Sequence, residues 1–216
     1  MMLKYCGNQS LTDYQKSRES HADNIGFIFT QESRRTVTAQ EVQQWVRTLP
    51  PKPDQQLVGV FVNQPLMVVI KTVETVPLDI VQLHGSESTA YIKELRKNSD
   101  VQIWKTVSHT PETATLLKTY GTIVDGFLVD TKVHGEWGGT GQAFDWSYIP
   151  QYAEIAHVYG KPCFIAGGIK VNNVQELLDY QPDGIDIASG IEVQGMKSAA
   201  LMEALERKVV DNNEFA

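Results

Sequence analysis

The sequence predicts a (β/α)8 barrel. Short apolar, β-branched runs alternate with longer amphipathic segments, and the alternation repeats eight times in 216 residues. Such alternation implies parallel strands joined by right-handed helical crossovers, and eight units in this length match a compact barrel. An open, doubly wound sheet is the alternative. Against it, Gly7 is followed by Asn8-Gln9-Ser10, so no GxGxxG follows the first strand. No linker or low-complexity segment divides the chain, which reads as one domain over residues 1–216.

The units follow in order. The first strand is about Leu3 to Cys6, with a helix from about Leu11 to His21. The second is about Ile25 to Phe29, and its helix starts near Thr38, which has the spacing of a capping box with Glu41. The third is Leu57 to Val62, with a helix after Pro65. The fourth, Ile80 to Leu83, ends in His84-Gly85, and Ser86 or Ser88 caps the helix after it. The fifth is about Val101 to Thr106, and Pro111 suits the first turn of the next helix. Phe127 to Val129 forms the sixth, ending on Asp130; a glycine-rich loop then leads to Asp145, well placed as an N-cap. The seventh, Cys163 to Ala166, precedes Gly167-Gly168, and its helix follows Asn172-Asn173. The eighth, Ile185 to Ala188, precedes Ser189-Gly190, and a last helix runs from about Ser198 to Val209. The tail from Asp211 to Ala216 is expected to fray.

Composition narrows the function. Lys plus Arg is 19 against 26 for Asp plus Glu, a formal charge of −7, and no basic run interrupts it. A nucleic acid therefore has no electrostatic footprint to meet. Two cysteines, Cys6 and Cys163, without a CxxC or a His cluster, supply neither a zinc site nor a disulfide framework. No apolar segment approaches a membrane span and the start is unlike a signal peptide. The expectation is a soluble, cytoplasmic monomer.

In a barrel, chemistry sits where the loops after the strands converge. Placed there are Cys6-Gly7, Ser33-Arg34-Arg35, Asn63, His84-Gly85, Asp130 and the glycine loops after strands six, seven and eight. A thiol at a strand end either packs as a small hydrophobe or acts as base or nucleophile once its thiolate is stabilised. Cys163, earlier in its strand, reads as core. Asp130 follows three apolar residues, where desolvation favours the protonated carboxyl and suits it to general acid work; capping a turn or pairing with Lys132 is the plainer role. Asp186, inside strand eight, is a carboxylate that needs partners or a substrate to orient. Arg34 and Arg35 either solvate a loop or clamp a carboxylate with a planar fork. His84 is either structural or catalytic. The usual barrel phosphate site uses the loops after strands seven and eight, here Gly167-Gly168 and Ser189-Gly190, with Gly138 to Gly141 beside them.

These residues carry a family likeness. KYCG, GFIF with SRR following, VGVFVN, VQLHG, LVDT, GGTGQAFDW, IAGGI and DIASGIE occur in the order found in phosphoribosylanthranilate isomerases. The chain resembles that family from Lys4 to about Glu192. The resemblance implies a cofactor-free (β/α)8 enzyme of tryptophan biosynthesis acting on a small phosphorylated substrate by an Amadori rearrangement. It makes Cys6 the general base, Asp130 the general acid and Arg35 the grip on the anthranilate carboxylate. It places the phosphate on Gly141, Gly168, Ile169, Ser189 and Gly190, with His84 and Asp186 near the substrate. The family often has an apolar residue after CG, where this chain has Asn8.

Three rivals stay open. A histidine-pathway aminoaldose isomerase runs the same rearrangement but uses two aspartates, where strand one here offers Cys6. An indole-forming synthase would need a rim lysine, and Lys105 lies near the end of strand five. A phosphate-binding barrel without catalysis would share the glycine cradles and have no use for the Cys6–Asp130 pair.

Overall fold

The computed structural model describes residues 1–31, 33–131 and 143–213. Eight strands close into one parallel barrel: β1 (Met2–Tyr5), β2 (Asn24–Ile28), β3 (Gln56–Phe61), β4 (Ile80–Leu83), β5 (Gln102–Ser108), β6 (Gly126–Asp130), β7 (Cys163–Ala166) and β8 (Gly184–Ile187). Closure comes from β1 pairing with both β2 and β8, which places Lys4 opposite Asn24 on one side and Asp186 on the other. The helices are α1 (Leu11–Glu19), α2 (Ala39–Thr48), α3 (Leu66–Thr75), α4 (Thr89–Asn98), α5 (Thr113–Tyr120), α6 (Ile149–Val158), α7 (Val174–Leu178) and α8 (Ala199–Asn213). Two short strands, β9 (Glu192–Val193) and β10 (Met196–Lys197), form a hairpin between β8 and α8.

The two-residue period of the strands sorts the core into two layers. Leu3, Tyr5, Ile25, Phe27, Leu57, Phe61, Val81, Leu83, Phe127, Val129, Ile165 and Ile185 pack outward against the helices. Inside lie Cys6, Val58, Val60, Ile80, Trp104, Leu128, Phe164 and Ala166. Trp104 and Phe164 meet with ring centroids 4.6 Å apart. Room for them comes from glycine, because a Cβ on Gly126 would strike the Trp104 indole and one on Gly184 the Phe164 ring.

Local chemistry sets most boundaries. Thr38 and Glu41 make the expected capping box at α2, with each side chain reaching the other's backbone N–H. Ser88, not Ser86, caps α4; Ser86 instead donates to Asn63. Pro111 stands in a turn two residues before α5, with Glu112 at the cap. Asp145 does cap the next element, a 3-10 turn over Trp146–Tyr148 that leads into α6. The last helix runs on to Asn213, past the expected frayed point, because its inner face (Met202, Leu205, Val209) is buried in the core.

At the N-terminal end of the barrel one device repeats four times. The aspartate just before each even-numbered strand accepts a backbone N–H at the start of the preceding odd one. Leu3 N donates to Asp23 (2.7 Å) and Leu57 N to Asp79 (2.7 Å). Ile103 N donates to Asp125 (2.9 Å) and Cys163 N to Asp183 (2.8 Å). These carboxylates take up amides at the strand ends, where the ladder has no further partner to offer.

Candidate active site

A cavity of about 590 Å³ opens at the opposite, C-terminal end of the strands, within the usual range for a small-molecule site. Cys6, Arg35, His84, Asp130, Gly168, Ile169, Asp186, Ser189 and Gly190 all line it. Gly141 and the rest of the 138–141 loop lie outside the described residues, as does Lys132. Cys163 faces the helices as a core residue, 1% exposed.

Cys6 is brought to the cavity by the pleat: Leu3 and Tyr5 point to the helix layer, so Lys4 and Cys6 point inward. The Lys4 ammonium, wholly buried, pairs with Asp186 Oδ1 at 2.9 Å. Burial pushes the Cys6 thiol above its ordinary value; Lys4 opposes that rise and Asp186 adds to it. The loop after Cys6 is tied down by the residue that departs from the family pattern. Asn8 is fully buried, donates to the carbonyls of Tyr5 (3.1 Å) and Gly26 (3.0 Å), and accepts from Ser17 Oγ (2.6 Å). An apolar residue would fill that space; Asn8 instead welds the loop to β2 and α1.

Across the mouth, Asp130 ends β6. Its Oδ1 accepts from the backbone of Thr131 at 2.7 Å, and its Oδ2 faces His84 Nε2 at 3.3 Å. Gly167, at φ +86°, leaves no room for a Cβ beside that carboxylate. His84 is thus paired with Asp130, a contact its neighbours along the chain give no sign of.

Arg35 is buried, and its Nε and Nη2 form a two-pronged bond to Glu192, both at 2.8 Å. Glu192 also takes the Lys197 ammonium at 2.9 Å. Burial opposes charge on Glu192, but Arg35 and Lys197 outweigh it and hold the carboxyl below its ordinary value. Arg34 extends into solvent, its head 4.0 Å from the same carboxylate. Gly168 and Ile169 meet Ser189 and Gly190 across a contact so close that a Cβ on Gly190 would enter the Ile169 carbonyl. The amides of these four residues have no backbone acceptor among the described residues, an arrangement suited to an anion. Asn173 steadies the first of the two loops, donating to Gly168 O and accepting from Lys170 N.

Lys4, Gln82, Glu192 and Lys197 were not singled out from the sequence. The strand period alone marks Lys4, two residues from Cys6, and Gln82, two from His84. Gln82 is buried at the cavity with Nε2 on Thr106 Oγ1 (3.1 Å) and its amide oxygen without a partner among the described residues. Nothing in the spacing of Glu192 and Lys197 signals that a hairpin sets them against Arg35 and the carbonyl of Ala188. Lys105 is excluded as a free rim lysine. It is buried away from the cavity, bonded to Glu87 (3.0 Å) and to the carbonyls of Leu83 and Gly85. Among the described residues no cluster of three or more His, Cys, Asp or Glu could hold a metal, and no helix is long and apolar enough to cross a membrane.

Comparison with known proteins matches this geometry. The model of the N-(5'phosphoribosyl)anthranilate (PRA) isomerase family matches residues 3–208. The N-(5'-phosphoribosyl)anthranilate isomerase of Geobacillus thermodenitrificans is 46% identical over 206 residues, covering 95% of this chain and 92% of its own. That of Bacillus subtilis is 42% identical, covering 96% and 94%. Among solved structures, phosphoribosyl anthranilate isomerase from Thermotoga maritima superposes with a TM-score of 0.84 at 28% identity, over 98% of this chain and 99% of that one. A further isomerase structure, in complex with reduced 1-(o-carboxyphenylamino)-1-deoxyribulose 5-phosphate, superposes at 0.81 with 27% identity and the same coverage. With its barrel, its cavity and these relatives in agreement over nearly the whole chain, the protein belongs to the phosphoribosylanthranilate isomerase family.

Proposed function

We propose that this chain catalyses the Amadori rearrangement of N-(5-phosphoribosyl)anthranilate to 1-(2-carboxyphenylamino)-1-deoxyribulose 5-phosphate in tryptophan biosynthesis. The observation that carries the reading is one cavity with a thiol on one wall and a carboxyl on the other, between an arginine and a set of unpaired amides. The amides of Gly168, Ile169, Ser189 and Gly190, with Gly141, take the phosphate. Arg35 takes the anthranilate carboxylate through the guanidinium edge that Glu192 leaves free. Held at both ends, the ribose lies between acid and base.

As general acid, Asp130 gives a proton to the ring oxygen, so the C1–O bond breaks and an iminium forms at C1. Cys6 thiolate then removes the C2 proton, which the adjacent iminium acidifies, and an enolamine results. Protonation at C1 and loss of the 2-hydroxyl proton complete the ketone, so atoms and electrons balance without a redox partner. His84 steadies the Asp130 carboxyl, and the free oxygen of Asp186 accepts from a sugar hydroxyl. The same reading has the chain working as one folding unit, a monomer, in the cytoplasm, where Cys6 stays reduced.

A coupled assay tests it. Anthranilate and phosphoribosyl pyrophosphate are passed through the preceding transferase, and the fluorescence of the adduct is followed on adding this protein. Rapid loss is expected. Persistent fluorescence with folded protein would leave a phosphate-binding barrel of another activity.

A further inference from the structure

The base sits in a place that is hostile to it. Cys6 is 6% exposed, and burial alone disfavours a thiolate. What faces it element by element is charged. Its own strand brings Lys4; β8 brings Asp186, on Lys4 at 2.9 Å. The loop after β2 brings Arg35, and the β9–β10 hairpin brings Glu192 and Lys197. Strand β2 brings no charge, only Asn24 beside Lys4, the apolar Ile28 and Gly26, and a Cβ on Gly26 would stand 2.8 Å from Cys6 Sγ and 3.2 Å from Lys4 Nζ. Thiol and ammonium therefore converge over one missing side chain. His84 and Asp130 belong to the opposite wall, and Arg34 is solvated.

Lys4, Arg35 and Lys197 are three buried cations, set among the carboxylates of Asp186 and Glu192 and, behind the hairpin, the buried Asp13 whose Oδ1 takes the Lys197 backbone amide. Lys4 is the cation that shares the space over Gly26 with the sulfur, and a buried ammonium beside a thiol favours its thiolate. We infer that the Lys4 ammonium is the positioning group that holds the Cys6 sulfur in its thiolate form for proton abstraction, with Asp186 as the competing anion that tunes it. The inference deepens the proposed reaction and rests on Cys6 serving as its base. It gives a role to a lysine that is fully buried inside the barrel, whose inner core includes the apolar Val58, Ile80 and Leu128.

The test is the pH dependence of Cys6 alkylation by iodoacetamide, a neutral reagent, read by peptide mass spectrometry so that Cys163 is scored apart. Lys4→Met should move the midpoint up by at least about one pH unit, so that alkylation below it slows about tenfold. Asp186→Asn should move it down. In turnover, Lys4→Met should lower kcat at neutral pH, recover as pH rises and leave KM little changed. A Lys4→Met protein with native circular dichroism and an unmoved midpoint would overturn the inference, as would an upward shift in Asp186→Asn. If Lys4→Met does not fold, Asp186→Asn and Lys197→Met decide it, the latter by an upward shift. Failure of the reaction reading shows separately, as turnover that survives Cys6→Ala whatever the alkylation profile.

Discussion

The two ends of the barrel are built on opposite plans. At the N-terminal end four aspartates, Asp23, Asp79, Asp125 and Asp183, perform one task by one geometry, each taking a strand amide at 2.7–2.9 Å. At the C-terminal end the three acidic groups described around the cavity each have a different set of partners. Asp130 faces a histidine, Asp186 a buried lysine, and Glu192 an arginine and a lysine together. Repetition at one end closes strands and secures the fold; broken symmetry at the other gathers a carboxyl, a thiol, an arginine and a set of loop amides in one cavity. The lesson is that a carboxylate's role here follows from what the fold sets beside it rather than from its being an Asp at a strand end.

The contrast can be broken from either side. The largest effect belongs to the C-terminal end: Cys6→Ala and Asp130→Asn should each cut kcat by roughly a hundredfold to ten-thousandfold, while thermal unfolding stays near that of the parent. Near-parental turnover in either would remove that residue from the mechanism. At the N-terminal end the sign reverses. Asp125→Ala loses the Ile103 amide and the Arg96 pair at 2.6 Å, so urea denaturation should show about 1.5 kcal/mol lost, with kcat unchanged. A kcat that fell in step would mean the two ends are coupled.

Gly26→Ala probes the middle of the barrel. Its Cβ would press on both Cys6 Sγ and Lys4 Nζ, and a displacement worth about 1.4 kcal/mol in the transition state is about tenfold in kcat. A larger change in KM than in kcat would show that Cys6 is unmoved. Smallest is Thr38→Ala, which removes the capping box of α2 at about 1 kcal/mol. It should lower the melting temperature by a few degrees and leave kinetics alone, which makes it the control for the stability readings.

Much of the C-terminal plan was legible in the chain. Cys6, His84, Asp130 and the glycine pairs follow directly on apolar runs, and a strand end in a barrel is a rim position. The Thr38–Glu41 cap was legible for a similar reason, since its interaction spans only three residues. The four aspartate clamps were not, because each joins residues 20 or 22 positions apart through a loop whose path the sequence leaves open. Pro111 shows the limit of a local signal: it permits a helix start, and the turn that precedes α5 places it outside.

By itself the sequence determined the alternation, hence the eight parallel strands, and the set of groups gathered at one rim. Period and spacing are local properties, and a closed parallel barrel is what eight such units make. Only the tertiary structure decided which charges meet. Lys4 and Asp186 are 182 residues apart, and Arg35 and Glu192 are 157 apart. Their contacts exist because closure sets β1 beside β8 and the hairpin after β8 folds onto the loop after β2. Coulomb interactions in a buried site depend on distance and on the exclusion of water, and neither is written in the order of residues.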